Sequence, residues 1–296
     1  MVTCKQISTY FEKIAPLALA EEWDNPGLLL GGLYDEIKKI MVCLDVTSEV
    51  VEEAVHKNVH LIISHHPIIF KPLTKVIKDD FKGKILYELI KNDIAVYSAH
   101  TNLDIANEGL NEYLASILGL SEIRDLNFYK SFHYEEFASN EIVIFNDETS
   151  SNDMIADDIT ALNKKEHEYG LGKVGMINPS CTFSEFLKRL KEALGVEYVR
   201  VIGNVPVRIQ KAAVFCGGFD GNRSGLFRER PDVLVTGDIK HNEAIDLTEI
   251  GFCVIDAGHY STEIIVKDLM VKLIEKEFKT IEIFKSKWEK NPVRFA

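Results

Sequence analysis

Six short runs rich in Val and Ile constrain this chain more than any other feature. They are 39–44 (KIMVCL), 59–64 (VHLIIS), 94–98 (IAVYS), 212–216 (AAVFC), 232–236 (DVLVT) and 252–256 (FCVID). Each is close to continuously apolar rather than alternating, the pattern of strands covered on both faces. Between them the apolar residues recur at helical spacing over 48–57, 84–91, 110–118 and 184–194, and a long amphipathic helix is expected over 262–278. Strands alternating with helices predict an α/β protein. The 296 residues are enough for two ordinary domains. We expect a first α/β domain made of residues 1–125 plus about 255–296, and a second made of 126–254. A variable, acidic and polar segment lies at about 124–170, where ETSSNDM reads as an exposed loop.

In open α/β sheets ligands bind beyond the carboxyl ends of the strands. Five strand exits of this chain carry His or a carboxylate: Asp45; Ser64-His65-His66; His100 with Asp104; Asp238 with His241; and His259 with Glu263. Neighbouring side chains at a strand end diverge, so His65 and His66 can each face a different ion. Pro67 keeps His66 out of the helical region. His259 and Glu263 are four residues apart, which places them on one face of a helix. There Glu263 is expected in the first turn, where the helix N-terminus favours an ionised carboxylate. His100 and Asp104 are expected in a loop. Imidazoles and carboxylates without thiolate suit Zn, Fe, Mn or Ni. Five candidate ligands, His65, His66, Asp104, His259 and Glu263, exceed what one four-coordinate ion needs, so two divalent metal ions are the economical reading.

Other classes are disfavoured. The net charge of −12 repels nucleic-acid phosphates, and the basic residues are scattered, so nucleic acid is not an expected partner. Five cysteines, widely spaced and without a C-x-x-C, argue against a disulfide framework or a thiolate zinc site. The first residues do not read as a signal peptide, and no apolar run approaches the roughly 20 residues of a membrane span, so a cytoplasmic protein with no membrane partner is expected. The segment from Gly217 to Gly221 follows a strand; a plain turn is the simpler reading, and close backbone approach to a phosphate or nucleobase is the alternative.

Six segments in order, EEWDNPGLLLG (21–31), LDVT (44–47), SHHPIIF (64–70), SAHTNLD (98–104), VTGDIKH (235–241) and DAGHYSTE (256–263), resemble the NIF-three-like proteins, also called GTP cyclohydrolase 1 type 2 homologues. The resemblance runs nearly the length of the chain. It implies two α/β domains with a dinuclear metal site between them, and a ring-shaped homohexamer. Carried over position by position, the implied ligands are His65, His66, Asp104, His259 and Glu263. The chain departs from the pattern where Asn242 stands in place of a frequent histidine, with His241 one place earlier. The implied function is a dinuclear-metal-dependent hydrolase acting on a small molecule, with a nucleotide such as GTP as the named candidate and His100 moving protons. The alternative is a non-catalytic metal-binding or regulatory assembly protein.

Overall fold

The apolar runs form strands of two sheets in a computed structural model that describes residues 1–136, 142–145 and 164–294. Strands and helices are numbered in chain order. The first sheet has the order β1 (Gly27–Leu30), β4 (Ala95–Ser98), β3 (Leu61–Ser64), β2 (Lys39–Cys43), β12 (Glu282–Lys285). Its last four members are parallel, and β1 runs antiparallel along β4. The second sheet has the order β6 (Ile142–Phe145), β5 (Ser121–Glu136), β7 (Lys164–Thr182), β9 (Arg208–Gly218), β10 (Val233–Gly237), β11 (Val254–Asp256), β8 (Arg200–Ile202). Here β9, β10 and β11 are parallel and the other pairings are antiparallel.

The strands read as continuous apolar runs because both faces are covered. Ile40, Val42, Leu61 and Ile63 of the first sheet share one core with Val214, Val233 and Val235 of the second. Five helices contribute to that shared core: α1 (Cys4–Ile14), α4 (Thr101–Ile105), α5 (Leu110–Ile117), α6 (Phe183–Leu194) and α10 (Val266–Glu277). The alternate residues Met41, Cys43, Ile62 and Val96 face outward and are covered by α2 (Ser48–His56) and α3 (Phe81–Lys91). On the second sheet Ala213, Phe215, Leu234 and Val254 pack with Leu226 of α7 (Ser224–Glu229) and Leu247 of α8 (His241–Glu249). Local sequence sets where helices start. Thr47 accepts the N–H of Val50 to open α2, and Thr182 with Glu185 forms a capping box at α6.

Three expectations need correction. The long C-terminal helix is two pieces, α9 (His259–Glu263) and α10, so Glu263 ends a short helix instead of opening a long one. Backbone angles at Ile264 and Ile265 remain near-helical, which is why the apolar periodicity runs through the break unmarked. His100 and Asp104 are not in a loop: His100 is the N-cap of α4 and Asp104 lies within it. Much of the polar 124–170 segment is strand, in β5 and β7, while ETSSNDM lies outside the described residues. The start of β5 is polar because most of its side chains from Ser121 to Asp125 face solvent or are half-buried.

Candidate metal centre

Carboxyl ends of strands from both sheets, with helices α4 and α9 beside them, bring the predicted residues together. The end of β3 leads directly into His65 and His66. His65 is fully buried. Its Nδ1 lies 2.8 Å from the carbonyl oxygen of Ala99. A carbonyl only accepts, so the proton sits on Nδ1 and Nε2 carries a lone pair. That Nε2 points at carboxylates, 3.6 Å from Asp104 Oδ1 and 3.9 Å from Glu263 Oε1.

The same device recurs at the other three imidazoles. His66 donates Nδ1–H to Asp45 at 2.8 Å, His100 to Asp24 at 2.7 Å, and His259 to Asp238 at 3.0 Å. Each carboxylate orients a ring and leaves Nε2 as its free face, the arrangement that supports metal-bound imidazoles. Asp24 is itself held by Thr101, whose N–H and hydroxyl donate to it at 3.1 and 2.5 Å.

His66 sits centrally. Its Nε2 is 3.1 Å from Glu263 Oε2, and His259 Nε2 approaches the same oxygen to 2.9 Å. Neither approach has the direction of a hydrogen bond, and Oε2 is left without one. Glu263 is 3% exposed, on α9. Its place depends on Gly217 at the end of β9. A Cβ there would lie 2.1 Å from Glu263 Oε1, and the φ of +65° is one that L side chains rarely adopt. Thr262 ties the two elements, accepting the Gly217 N–H at 3.0 Å. The glycines after β9 therefore make room for a buried carboxylate, beyond the simple turn expected of them.

Two groups of side chains able to hold a metal ion result: His65, His66 and His100, and His66, His259 and Glu263, with ligand atoms within 4.8 Å of one another in each. Asp104 stands beside the first. Seven buried side-chain polar atoms among the described residues lack a hydrogen-bond partner, and three belong here: His65 Nε2, Asp104 Oδ1 and Glu263 Oε2. Orphaned buried groups are costly. His65 Nε2 and Asp104 Oδ1 stand 3.6 Å apart in one part of the cluster and Glu263 Oε2 lies beside His66 and His259 in the other; nitrogen and oxygen donors without thiolate fit divalent cations.

Charge behaves accordingly. Burial, and then the neighbouring Glu263, push the Asp104 carboxyl well above its ordinary range. Burial would raise Glu263 too, but His259, His66 and His65 outweigh it and hold that carboxyl low. Burial opposes protonation of His66, yet Asp45 and Glu263 lift it to about 10. Contact with Glu263 lifts His259 to about 8 against its burial. Burial lowers His65 to about 3. One ionised carboxylate, Glu263, thus faces two protonated imidazoles, while Asp104 keeps its proton; a cation bound there would displace these protons.

His241 does not join either group; it opens α8 and is exposed. The residues that reading the sequence missed are the orienting carboxylates. Asp45 and Asp238 were visible at strand exits and Asp24 within EEWDNPG, but their partners lie on other segments of the chain. Beside the centre a cavity of about 510 Å³ is lined by His66, His259, Asp45, Tyr198 and Arg200 among others. No helix among the described residues is long and apolar enough to cross a membrane.

The chain matches the Duf34/NIF3 (NGG1p interacting factor 3) family over residues 2–292. It is 33% identical to the GTP cyclohydrolase 1 type 2 homolog of Bacillus subtilis, with 99% of each chain covered. It is 30% identical to the protein of the same description in Clostridium perfringens, with 98% of each covered. Among solved structures it is similar to a Bacillus cereus protein related to NIF3, with a TM-score of 0.83 at 26% identity and 100% of both chains covered. Reduced HcgD from Methanocaldococcus jannaschii is similar at a TM-score of 0.71 and 30% identity, with 96% of this chain and 97% of that one covered.

Proposed function

The chain belongs to the Duf34/NIF3 family, and from that premise we propose that it is a dinuclear-metal-dependent hydrolase acting on a nucleotide, with ring opening of GTP as the candidate reaction. The observation that carries this is that three buried atoms without a hydrogen bond, His65 Nε2, Asp104 Oδ1 and Glu263 Oε2, belong to a cluster of imidazoles whose Nδ1 atoms are already tied. In this reading His65, His66, Asp104, His259 and Glu263 hold two divalent transition metals, of the class Zn, Fe, Mn or Ni. Metals there supply Lewis acidity and water acidified to near-neutral pH.

The chain's own residues do the rest. His100, held by Asp24 at 2.7 Å, is the group placed to move a proton at Nε2 beside the centre. The buried walls around His65 and Glu263 keep bulk water away. The cavity beside His66 and His259 gives a small molecule a place to lie. The division into residues 1–125 plus about 255–296 and 126–254 goes with this reading, supported by the two sheets, as do a cytoplasmic location and a homohexamer.

Metal-loaded protein incubated with GTP should release formate, and chelator-treated protein or His66→Ala should not. Activity that survives both treatments would trace to a contaminant. No turnover with any of the four metals would favour the alternative, a metal-binding or regulatory assembly protein.

A further inference from the structure

Two buried carboxylates away from the metal centre hold the segment that follows β12. Glu53 on α2 is 2% exposed. It accepts the Ser286 hydroxyl at 2.8 Å and the N–H groups of Lys287 and Trp288 at 2.9 and 3.1 Å. Glu289, 8% exposed, reaches the end of β2 instead. Its Oε1 accepts the successive N–H groups of Leu44 and Asp45 at 2.9 and 2.6 Å. Its Oε2 takes the ammonium of Lys267 at 3.0 Å, and that ammonium also donates to the Ser286 carbonyl at 3.1 Å. Just beyond, Asn291, Pro292 and Val293 wall the cavity that opens on His66 and His259.

Asp45 is the residue whose carboxylate receives His66 Nδ1–H. We propose that Glu289 is a positioning residue for His66, acting through Asp45, an inference that rests on the metal-centre reading. Two N–H groups captured by one oxygen fix the backbone at Leu44 and Asp45. That fixes where the Asp45 carboxylate stands, and so where His66 Nε2 aims. A site held by supporting residues loses function when that support shifts by about 1 Å. The charge on Glu289 is balanced by Lys267, so the support is a closed unit: backbone, carboxylate, ammonium and backbone again. Glu53 is the internal control. It anchors the same segment with as many hydrogen bonds but makes none to Leu44 or Asp45.

The test titrates Co(II) into metal-free full-length protein, with thermal unfolding of each metal-free variant alongside. Glu289→Ala should lose about 10- to 100-fold in affinity, the range for a disturbed supporting residue, with a changed Co(II) absorption spectrum. Asp45→Asn should lose a similar factor. The double variant should lose no more than the larger single, because both act along one route. Glu53→Ala loosens the same segment but leaves the bonds to Leu44 and Asp45, so it should unfold at lower temperature yet lose clearly less Co(II) affinity than Glu289→Ala. Glu289→Gln keeps an oxygen for both N–H groups and gives up the ion pair, so it should bind close to wild type while unfolding earlier. It also serves as the test should the alanine variant not fold. Wild-type affinity in Glu289→Ala, losses that multiply in the double variant, or a Glu289→Gln protein as weak as an alanine one would each overturn the positioning role alone. Wild-type protein that binds no Co(II) would overturn the centre itself and this role with it.

Discussion

The two halves of the centre are built differently. The half on the first sheet is the more enclosed. His65 is fully buried at the end of a strand that is itself buried, with His66, His100 and Asp104 around it. The half on the second sheet is a single short helix, α9, reached through a glycine-lined turn, and the His259 side chain is 40% exposed. Buried β3 and β4 support the first half closely, and hydrogen bonds at Nδ1 orient its rings. The second half borders the cavity, which His66 and Asp45 of the first half also line. The lesson is a difference in enclosure within one cluster: one side is buried and the other borders open space, with His66 and Glu263 where the two meet.

That comparison can be broken most sharply at the shared residue. His66 belongs to both ligand groups and His259 to one. With Nδ1 given to Asp45, His66 has one lone pair, at Nε2, and holds one ion; His66→Ala should cost that ion about 100-fold, more than His259→Ala, whose ring is half-exposed, costs its own. Elemental analysis after equilibrium dialysis distinguishes the two. Equal losses from both variants would end the idea that the buried half holds its metal more tightly.

Glu263→Gln sharpens the role of the helix. It keeps the shape of a side chain that is 3% exposed and removes its charge. We expect about a 10- to 100-fold loss at the metal nearest His259. The metal-free variant should keep its fold, as thermal unfolding would show. A variant that binds two metals with native affinity would mean that Glu263 only pairs with the histidines.

The smallest effect, and the most diagnostic, is that of pH. His66 keeps its proton up to about 10 and His259 up to about 8, so a metal arriving between pH 6 and 8 displaces both. Affinity should fall with falling pH, by about tenfold per unit for each proton displaced. His65, lowered to about 3, is neutral throughout that window and adds no dependence. Calorimetric titrations at pH 6, 7 and 8 should show the slope lessened in His259→Ala. An affinity flat with pH would contradict the proton-for-metal exchange.

Much of this was legible in the sequence, for physical reasons. Parallel strands buried on both faces must be continuously apolar, so β2, β3, β4, β10 and β11 announced themselves. The His65-His66 pair and the four-residue spacing of His259 and Glu263 are local features that survive without a structure. What did not survive was whatever depends on distant segments meeting. Asp24, Asp45 and Asp238 are ordinary loop aspartates until the fold sets them against rings as many as 76 residues away, as for Asp24 and His100. The start of β5 offers no apolar signal because much of it faces solvent. The break between α9 and α10 changes the backbone too little to interrupt the periodicity.

The return of β12 to the edge of β2 also sets an order of events during synthesis. Residues of β2 and β3, with the His65-His66 pair at their end, leave the ribosome long before Glu282 to Lys285 exist to cover that edge. At about 5–20 residues per second the interval is on the order of ten to fifty seconds. Throughout it the nascent chain displays an unpaired parallel strand edge, a template for association with other chains. It also displays two adjacent imidazoles with neither Glu263 nor His259 yet made. A cation captured then would be held by an incomplete set of donors, and its exchange for the correct ion would await the last part of the chain.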